Sequence, residues 1–290
     1  MRVISYRVNE ADAGRSVAAI LRGGLGLSGG LIARLKRTGG ITKNGAPVKA
    51  NECVEVGDTV AAAVGESPAE TGRAALSFPI LFEDEDILII DKPAGVAVHG
   101  SRYADADISV ESAVNAYYGK TGLFHPVNRL DRGTSGAMLI AKNGYMHEKA
   151  ASLLHTGDFE RVYLGVAEGI FAEKSGRIDA PIARVGAIKR AASPFGAPAA
   201  TNYRVIEENC GFSLVEYRLE TGRTHQIRVH SAHIGHPLAG DFLYGTENRA
   251  LISRPALHSV SVEFTHPLST VRIRAVSKLP DDMKSIMKRG

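Results

Sequence analysis

Apolar residues in the first quarter of the chain change their period twice. Val17, Ile20 and Leu21, then Leu31, Ile32 and Leu35, recur at three- and four-residue spacing, which predicts helix within residues 11–38. The glycines of "RGGLGLSGG" break that stretch into two short helices, with Ser28 capping the second. The segment after it, "GGITKNGAPVKANECVEVGDTVAAAV", reads as three strands joined at Asn44-Gly45 and Gly57-Asp58. Residues 65–77, "GESPAETGRAALS", are small and polar without periodicity, the pattern of a linker. From Phe78 onward short apolar strands take over. "PILFEDEDILIIDKPAGVAVH" is punctuated by an acidic turn and by Pro93-Ala94-Gly95, and Ala137 to Ala141 reads as a buried strand. "SLVEYRLE", Ser213 to Glu220, alternates like an antiparallel strand with one wet face. Strands and short helices mix without the regular alternation of a doubly wound sheet, and no repeat recurs. The expected class is α+β on a mixed or antiparallel sheet.

Composition sharpens the division. The 290 residues, 44% hydrophobic and 23% charged, suit a soluble globular protein with a sizeable core. The expected units are residues 1–64, a linker at 65–77 and a larger domain at 78–290. The first 65 residues carry nine Lys/Arg against five Asp/Glu, and the remainder carries 26 of each sign, so the whole net charge of +4 lies in the first quarter. Arg34, Lys36, Arg37, Lys43 and Lys49 fall on the second helix and the hairpin after it, pointing to a polyanion partner. The alternative is a solvated basic face. Cys53 and Cys210 form no spaced pattern, which argues against a disulfide framework or a thiolate zinc site. No signal-peptide core or bilayer-length apolar run is present, so a cytoplasmic monomer without membrane contact is expected.

Three segments carry candidate chemistry. In "NRLDRGTSG", Asn128 to Gly136, an aspartate stands between two arginines on a glycine-rich bend before the buried strand. If residues 129–131 are extended, Arg129 and Asp131 share a face. Flanking cations favour the ionised carboxylate, which suits a nucleophile or base rather than an acid. The plainer alternative is an Asp that caps the turn and pairs with Arg132. In "LETGRTHQIRVHSAHIGHPLAGDFLYG", Leu219 to Gly245, Arg223 sits where a strand meets a helix expected near Thr224, a place that favours anions. It could equally satisfy nearby carbonyls. The histidines of this segment are not spaced as ligands: at roughly 100° per residue His225 and His230 diverge by about 140°, and Gly235-Pro237 ends the helix before His236. No metal is expected. The third segment is "FERVYLGVAEG", where Tyr163 lies on an apparent core strand and could also contact a nucleobase.

Taken in order, these segments resemble the RluA-type pseudouridine synthases over nearly the whole chain. "ILFEDEDILIIDKPAGVAVH", "NRLDRGTSGAMLIAKN", "RVYLGVAEG", "ETGRTHQIRVHSAHIGHPLAGDFLYG" and "LHSVSVEFTHP" are similar to the family's successive motifs. The basic N-terminal segment resembles the RNA-binding domain first seen in ribosomal protein S4. The resemblance implies the pseudouridine synthase fold: a central mixed, largely antiparallel sheet flanked by helices and loops, behind a small S4-like α/β domain. It implies that Asp131 is the essential carboxylate, that Tyr163 contacts the target base, that Arg223 pairs with Asp131, and that Arg129 enters the RNA with Arg132 beside it. The partner would be RNA, ribosomal before transfer RNA, contacted also by Arg34, Lys36, Arg37 and Lys43. Isomerising uridine to pseudouridine needs no redox change and no donor, so no cofactor is expected. Asn128 replaces the family's usual His, Arg161 a common Lys, and Ala197 another Lys. Those departures leave room for a rival, an RNA-binding assembly factor with a vestigial site.

Overall fold

The computed structural model describes residues 2–65, 74–100, 108–119, 123–154 and 156–288; most of the expected linker lies outside them. The N-terminal residues form β1 (Val3–Arg7), α1 (Val17–Gly23), α2 (Gly29–Thr38), β2 (Ile41–Lys43), β3 (Ala46–Pro47) and β4 (Thr59–Ala63). The Ser28 hydroxyl accepts from the Leu31 N–H at 3.4 Å, and Gly39 closes α2 in the left-handed region at φ 68°. Ile20, Leu21, Ile32 and Leu35 pack against Ile41, Val60 and Ala62 in a core of their own. Strand β1 was not foreseen. It lies at the edge of the sheet, paired only with β4, so its alternation is short and half exposed.

The larger body begins with β5 (Ile80–Glu83), β6 (Ile87–Lys92), α3 (Val110–Tyr118), β7 (His125–Pro126), β8 (Ser135–Ala141) and α4 (Gly144–Leu153). It continues through β9 (Phe159–Glu168), β10 (Ser175–Asp179), the hairpin β11 (Ile182–Arg184) and β12 (Arg190–Ala192), β13 (Ala200–Asn209) and β14 (Phe212–Leu219). Helix α5 (Gln226–His233), β15 (Leu257–Thr265), β16 (Arg272–Val276) and α6 (Asp281–Met287) complete it. One sheet of ten strands runs β10-β13-β14-β9-β15-β8-β6-β5, with β16 on β15 and β7 on β8. This is the mixed, largely antiparallel sheet that the resemblance implied. Both faces are covered: Leu88, Ile90, Met138 and Ile140 pack on one side with α3, and Ile87, Ile89, Leu139 and Ala141 on the other with α4. That double burial explains the unbroken apolar runs of β6 and β8.

Among the described residues the parallel pairing is confined to β8 and β15, where His258 faces Ser135 and Ser259 faces Gly136. A Cβ on Gly136 would lie 2.1 Å from the Ser259 carbonyl oxygen, and its φ is 109°. Gly136 is therefore not part of the turn, as its place in "GTSG" suggested; it admits a neighbouring backbone. The start of β8, and the loop before it, are seated against β15 by that approach.

The two units touch. Tyr145 of α4 is buried in the N-terminal core, and its hydroxyl donates to the Leu25 carbonyl at 3.1 Å. Arg2 reaches Glu85 at 3.0 Å. Among the described residues no helix is long and apolar enough to cross a membrane.

Candidate active site

Asp131 lies on the loop between β7 and β8, and a second loop clips it in place. Lys92, the fully buried last residue of β6, donates to the carbonyls of Pro93 at 2.9 Å, Val96 at 2.8 Å and Arg132 at 3.3 Å. The Gly95 N–H donates to the Arg132 carbonyl at 2.8 Å, and Arg132 Nε returns a bond to the Gly95 carbonyl at 2.8 Å. The Lys-Pro-Ala-Gly turn thus exists to hold the aspartate loop. Burial pushes the Lys92 ammonium down to about 8, while Asp131 pulls it up and Arg254 pushes it further down.

The guanidinium facing Asp131 belongs to Arg228, not to Arg223. Arg228 Nη1 is 3.5 Å from Asp131 Oδ2. Its Nε and Nη2 each donate at 2.7 Å to the two oxygens of the fully buried Asp241. This fork leaves one edge of a planar cation aimed at Asp131. Arg223 is exposed, and its Nε donates to the Pro198 carbonyl at 3.0 Å, the plainer of the two roles its position allowed. The expected Arg223–Asp131 pair does not form because helix α5 starts later than anticipated, at Gln226, and turns Arg228 inward. His225, at φ 59°, precedes that helix and brings Nε2 within 4.0 Å of Asp131 Oδ1. The Tyr244 hydroxyl oxygen accepts from the Arg190 N–H at 3.0 Å and lies 2.8 Å from His225 Nδ1. That contact holds the ring with Nε2 turned toward Asp131. Burial lowers the imidazole, against the pull of Asp131, so it is neutral near pH 7.

Tyr163 stands on β9, almost fully buried in the core, with its ring in the wall of the same cleft. Burial raises its phenol; Arg161 opposes the rise and Asp131 adds to it. Asp131, Tyr163, Arg129, Arg223, His225 and Arg228 all line this cleft of about 50 Å³. On its other side Asp131 faces a groove of about 840 Å³ that it shares with Arg132, His225, Arg228 and Phe242. The carboxylate therefore lines both a narrow recess and a broad groove.

The chain matches the family described as RNA pseudouridylate synthase over residues 86–233. An uncharacterised RNA pseudouridine synthase of Bacillus subtilis, YjbO, is 38% identical over 274 residues, 92% of this chain and 96% of that protein. The chain belongs to the RluA-type RNA pseudouridine synthases. The synthase is also 35% identical over 270 residues to the ribosomal large subunit pseudouridine synthase D of Yersinia pestis, covering 85% of this chain and 82% of that one. Its fold superposes on human RNA pseudouridylate synthase domain containing 1 with a TM-score of 0.59, at 24% identity, over 75% of this chain and 89% of the other.

The departures noted in the sequence now have places in the synthase. Asn128 is buried and its Oδ1 accepts from the Leu139 N–H at 2.7 Å, so it braces β8 rather than facing solvent. Arg161 is buried on β9, with Nε and Nη2 making no hydrogen bond and Nη1 lying 3.1 Å from where a Cβ on Gly222 would be. Two of the histidines near α5 are engaged in packing. His230 bonds Thr201 Oγ1 at 2.8 Å and the Ala180 carbonyl at 2.9 Å, and His236 stacks on Phe171 with centroids 3.8 Å apart. Asp84, Asp86 and His266 gather elsewhere, but His266 Nδ1 accepts from two backbone N–H groups, at 3.2 Å and 3.0 Å. Nδ1 is thereby committed to the backbone, and Nε2 lies 3.5 Å from Asp84 Oδ2.

Sequence reasoning missed Lys92, His225, Arg228 and Asp241 as site residues. A signal existed for two of them: an arginine on the inward face of an amphipathic helix needs a buried acid, and Asp241 follows thirteen residues later.

Proposed function

We propose that Asp131 is the carboxylate that converts uridine to pseudouridine, with Arg228 in the role expected of Arg223 and Tyr163 against the target base. The observation that carries this reading is the Arg228 fork. A cation locked by Asp241 presents its free edge to a carboxylate that is only half buried and lies at the mouth of a groove. A salt bridge in that arrangement orients the aspartate while leaving one side open to substrate.

In the reaction the C1′–N1 bond breaks, the base turns, a C1′–C5 bond forms, and the proton leaving C5 is replaced by one on N1. Asp131 can start this by attacking C6, by attacking C1′, or by taking a sugar proton; each needs an ionised carboxylate beside an everted nucleoside. Tyr163 offers a flat ring in the recess, and burial keeps its hydroxyl protonated near neutral pH.

Ribosomal RNA is the favoured substrate, supported by the Yersinia relative, whose name assigns it to the large ribosomal subunit. Residues 1–64 are proposed as an S4-like RNA-binding domain. Arg34, Lys36 and Arg37 are exposed together on α2, whereas Lys43 is already tied to the Cys53 carbonyl at 3.3 Å and to Asp58 at 3.8 Å. Arg129 and Arg132 are exposed beside the carboxylate and complete the expected RNA contacts. The test maps pseudouridines in ribosomal and transfer RNA from cells lacking the protein, complemented with wild type or Asp131→Asn. Wild type restores one or more ribosomal sites and Asp131→Asn restores none. Restoration by both removes Asp131 from the chemistry, and sites confined to transfer RNA overturn the substrate assignment.

A further inference from the structure

The broad groove holds more than one nucleoside needs, and its far wall is apolar. At about 840 Å³ it is near the upper end of pockets that enclose whole small ligands. Phe242, 55% exposed, and Ile188, 61% exposed, both line it. Neither is loosely held. Phe242 follows the fully buried Asp241, whose Oδ1 also accepts from the Leu243 N–H at 3.1 Å. The Arg228 guanidinium lies 5.9 Å from the Phe242 ring centroid, so the ring rests on the same cation that faces Asp131. Ile188 sits in the β11–β12 turn, and that hairpin is pinned by the bond from the Arg190 N–H to the Tyr244 hydroxyl at 3.0 Å.

A rigid aromatic with much of its surface in water, beside a reactive carboxylate and among cations, asks for a flat ligand on a negatively charged chain. Arg132 stands on the same walls, where Arg254 is paired with Asp282, and Asp131 marks the end where the target nucleoside lies. Everting one base strips its neighbour of a stacking partner, and an aromatic side chain can replace it for any base. We propose that Phe242, with Ile188 lining the same groove, is a stacking site for the nucleobase next to the target uridine. This rests on RNA being the substrate, and it adds a second base contact outside the recess of Asp131 and Tyr163.

The probe is a fluorescein-labelled oligoribonucleotide with one central uridine among adenosines, compared with copies abasic at the position before or after the uridine. Binding to the full chain is read by anisotropy, with thermal melts confirming that each variant folds. Phe242→Ala weakens the intact RNA by about five- to 150-fold, the value of one base stacked on an aromatic ring. One abasic copy weakens wild type by a similar factor and weakens Phe242→Ala no further, and Phe242→Trp recovers the loss. The proposal is overturned if Phe242→Ala binds the intact RNA as wild type does, which would leave the exposed ring to a protein partner. It is equally overturned if the loss is the same on intact and both abasic copies. Conversion of uridine is a separate readout: absent conversion with the abasic coupling intact removes the isomerase reading and leaves the stacking site.

Discussion

Replacing Arg228 by lysine keeps the charge and removes the fork, which makes it the sharpest probe of how Asp131 is held. Two charge-assisted bonds at 2.7 Å join Arg228 to Asp241, and a lysine ammonium replaces one of them. At about 1.5–3 kcal/mol for a bond to a charged group, the loss in stability is about 2 kcal/mol. The third contact, 3.5 Å to Asp131, is of order 4–5 kcal/mol at an effective dielectric of about 20. Solvent reaching a side chain that is 25% exposed lowers this to about 2–3 kcal/mol. A lysine bound to Asp241 cannot span to Asp131 as well, so that share of orientation is lost, and kcat falls about a hundredfold. Arg223→Lys, at a side chain that bonds a surface carbonyl, changes kcat less than about threefold. The assay is single-turnover tritium release from RNA carrying 5-tritiated uridine, with urea melts run beside it to separate folding from rate. A full rate in Arg228→Lys, or an equal collapse in Arg223→Lys, refutes this account of the site.

Other outcomes follow from the same geometry. Above pH 8 the Lys92 ammonium gives up its proton and can no longer serve three carbonyls, so the rate of the wild-type enzyme falls there. Stability moves the other way: the folded value lies below the 10.5 of free lysine, so protonation favours the unfolded chain, and the Lys92 contribution is lowest below pH 8 and rises between 8 and 10.5. A pH–rate profile compared with pH-dependent urea melts checks both. Gly136→Ala drives a methyl into the Ser259 carbonyl and lowers stability by about 3 kcal/mol, read as a fall in Tm. Tyr145→Ala opens a cavity under α1 and costs about 3 kcal/mol; hydrogen exchange quickens at residues 17–35 before it does in β8.

The sequence made Asp131 and Tyr163 legible because each sits in an ordered motif with an unmistakable pattern around it. The doubly covered strands β6 and β8 were readable for a similar reason, as apolar runs too short for helices. Arg228 was hidden because its meaning depends on Asp241, which reaches it only after the chain has turned at Gly235 and again at Gly240. Lys92 was hidden because its partners are backbone carbonyls, which carry no letter. The glycine at 136 was visible as a residue but misread as a turn, since the reason for it is the carbonyl of a strand more than a hundred residues away.

Tyr145 ties the timetable of folding to the packing. The strands of the first unit are all made by residue 63, yet the aromatic that fills its core and caps the Leu25 carbonyl is supplied by α4. A ribosome adding about 5–20 residues per second needs roughly 4–16 seconds to cover that distance. The basic N-terminal unit thus leaves the exit tunnel with an unfilled socket. It gains Tyr145 only when the body bearing the aspartate begins to take shape, and Leu268 packs against it later still.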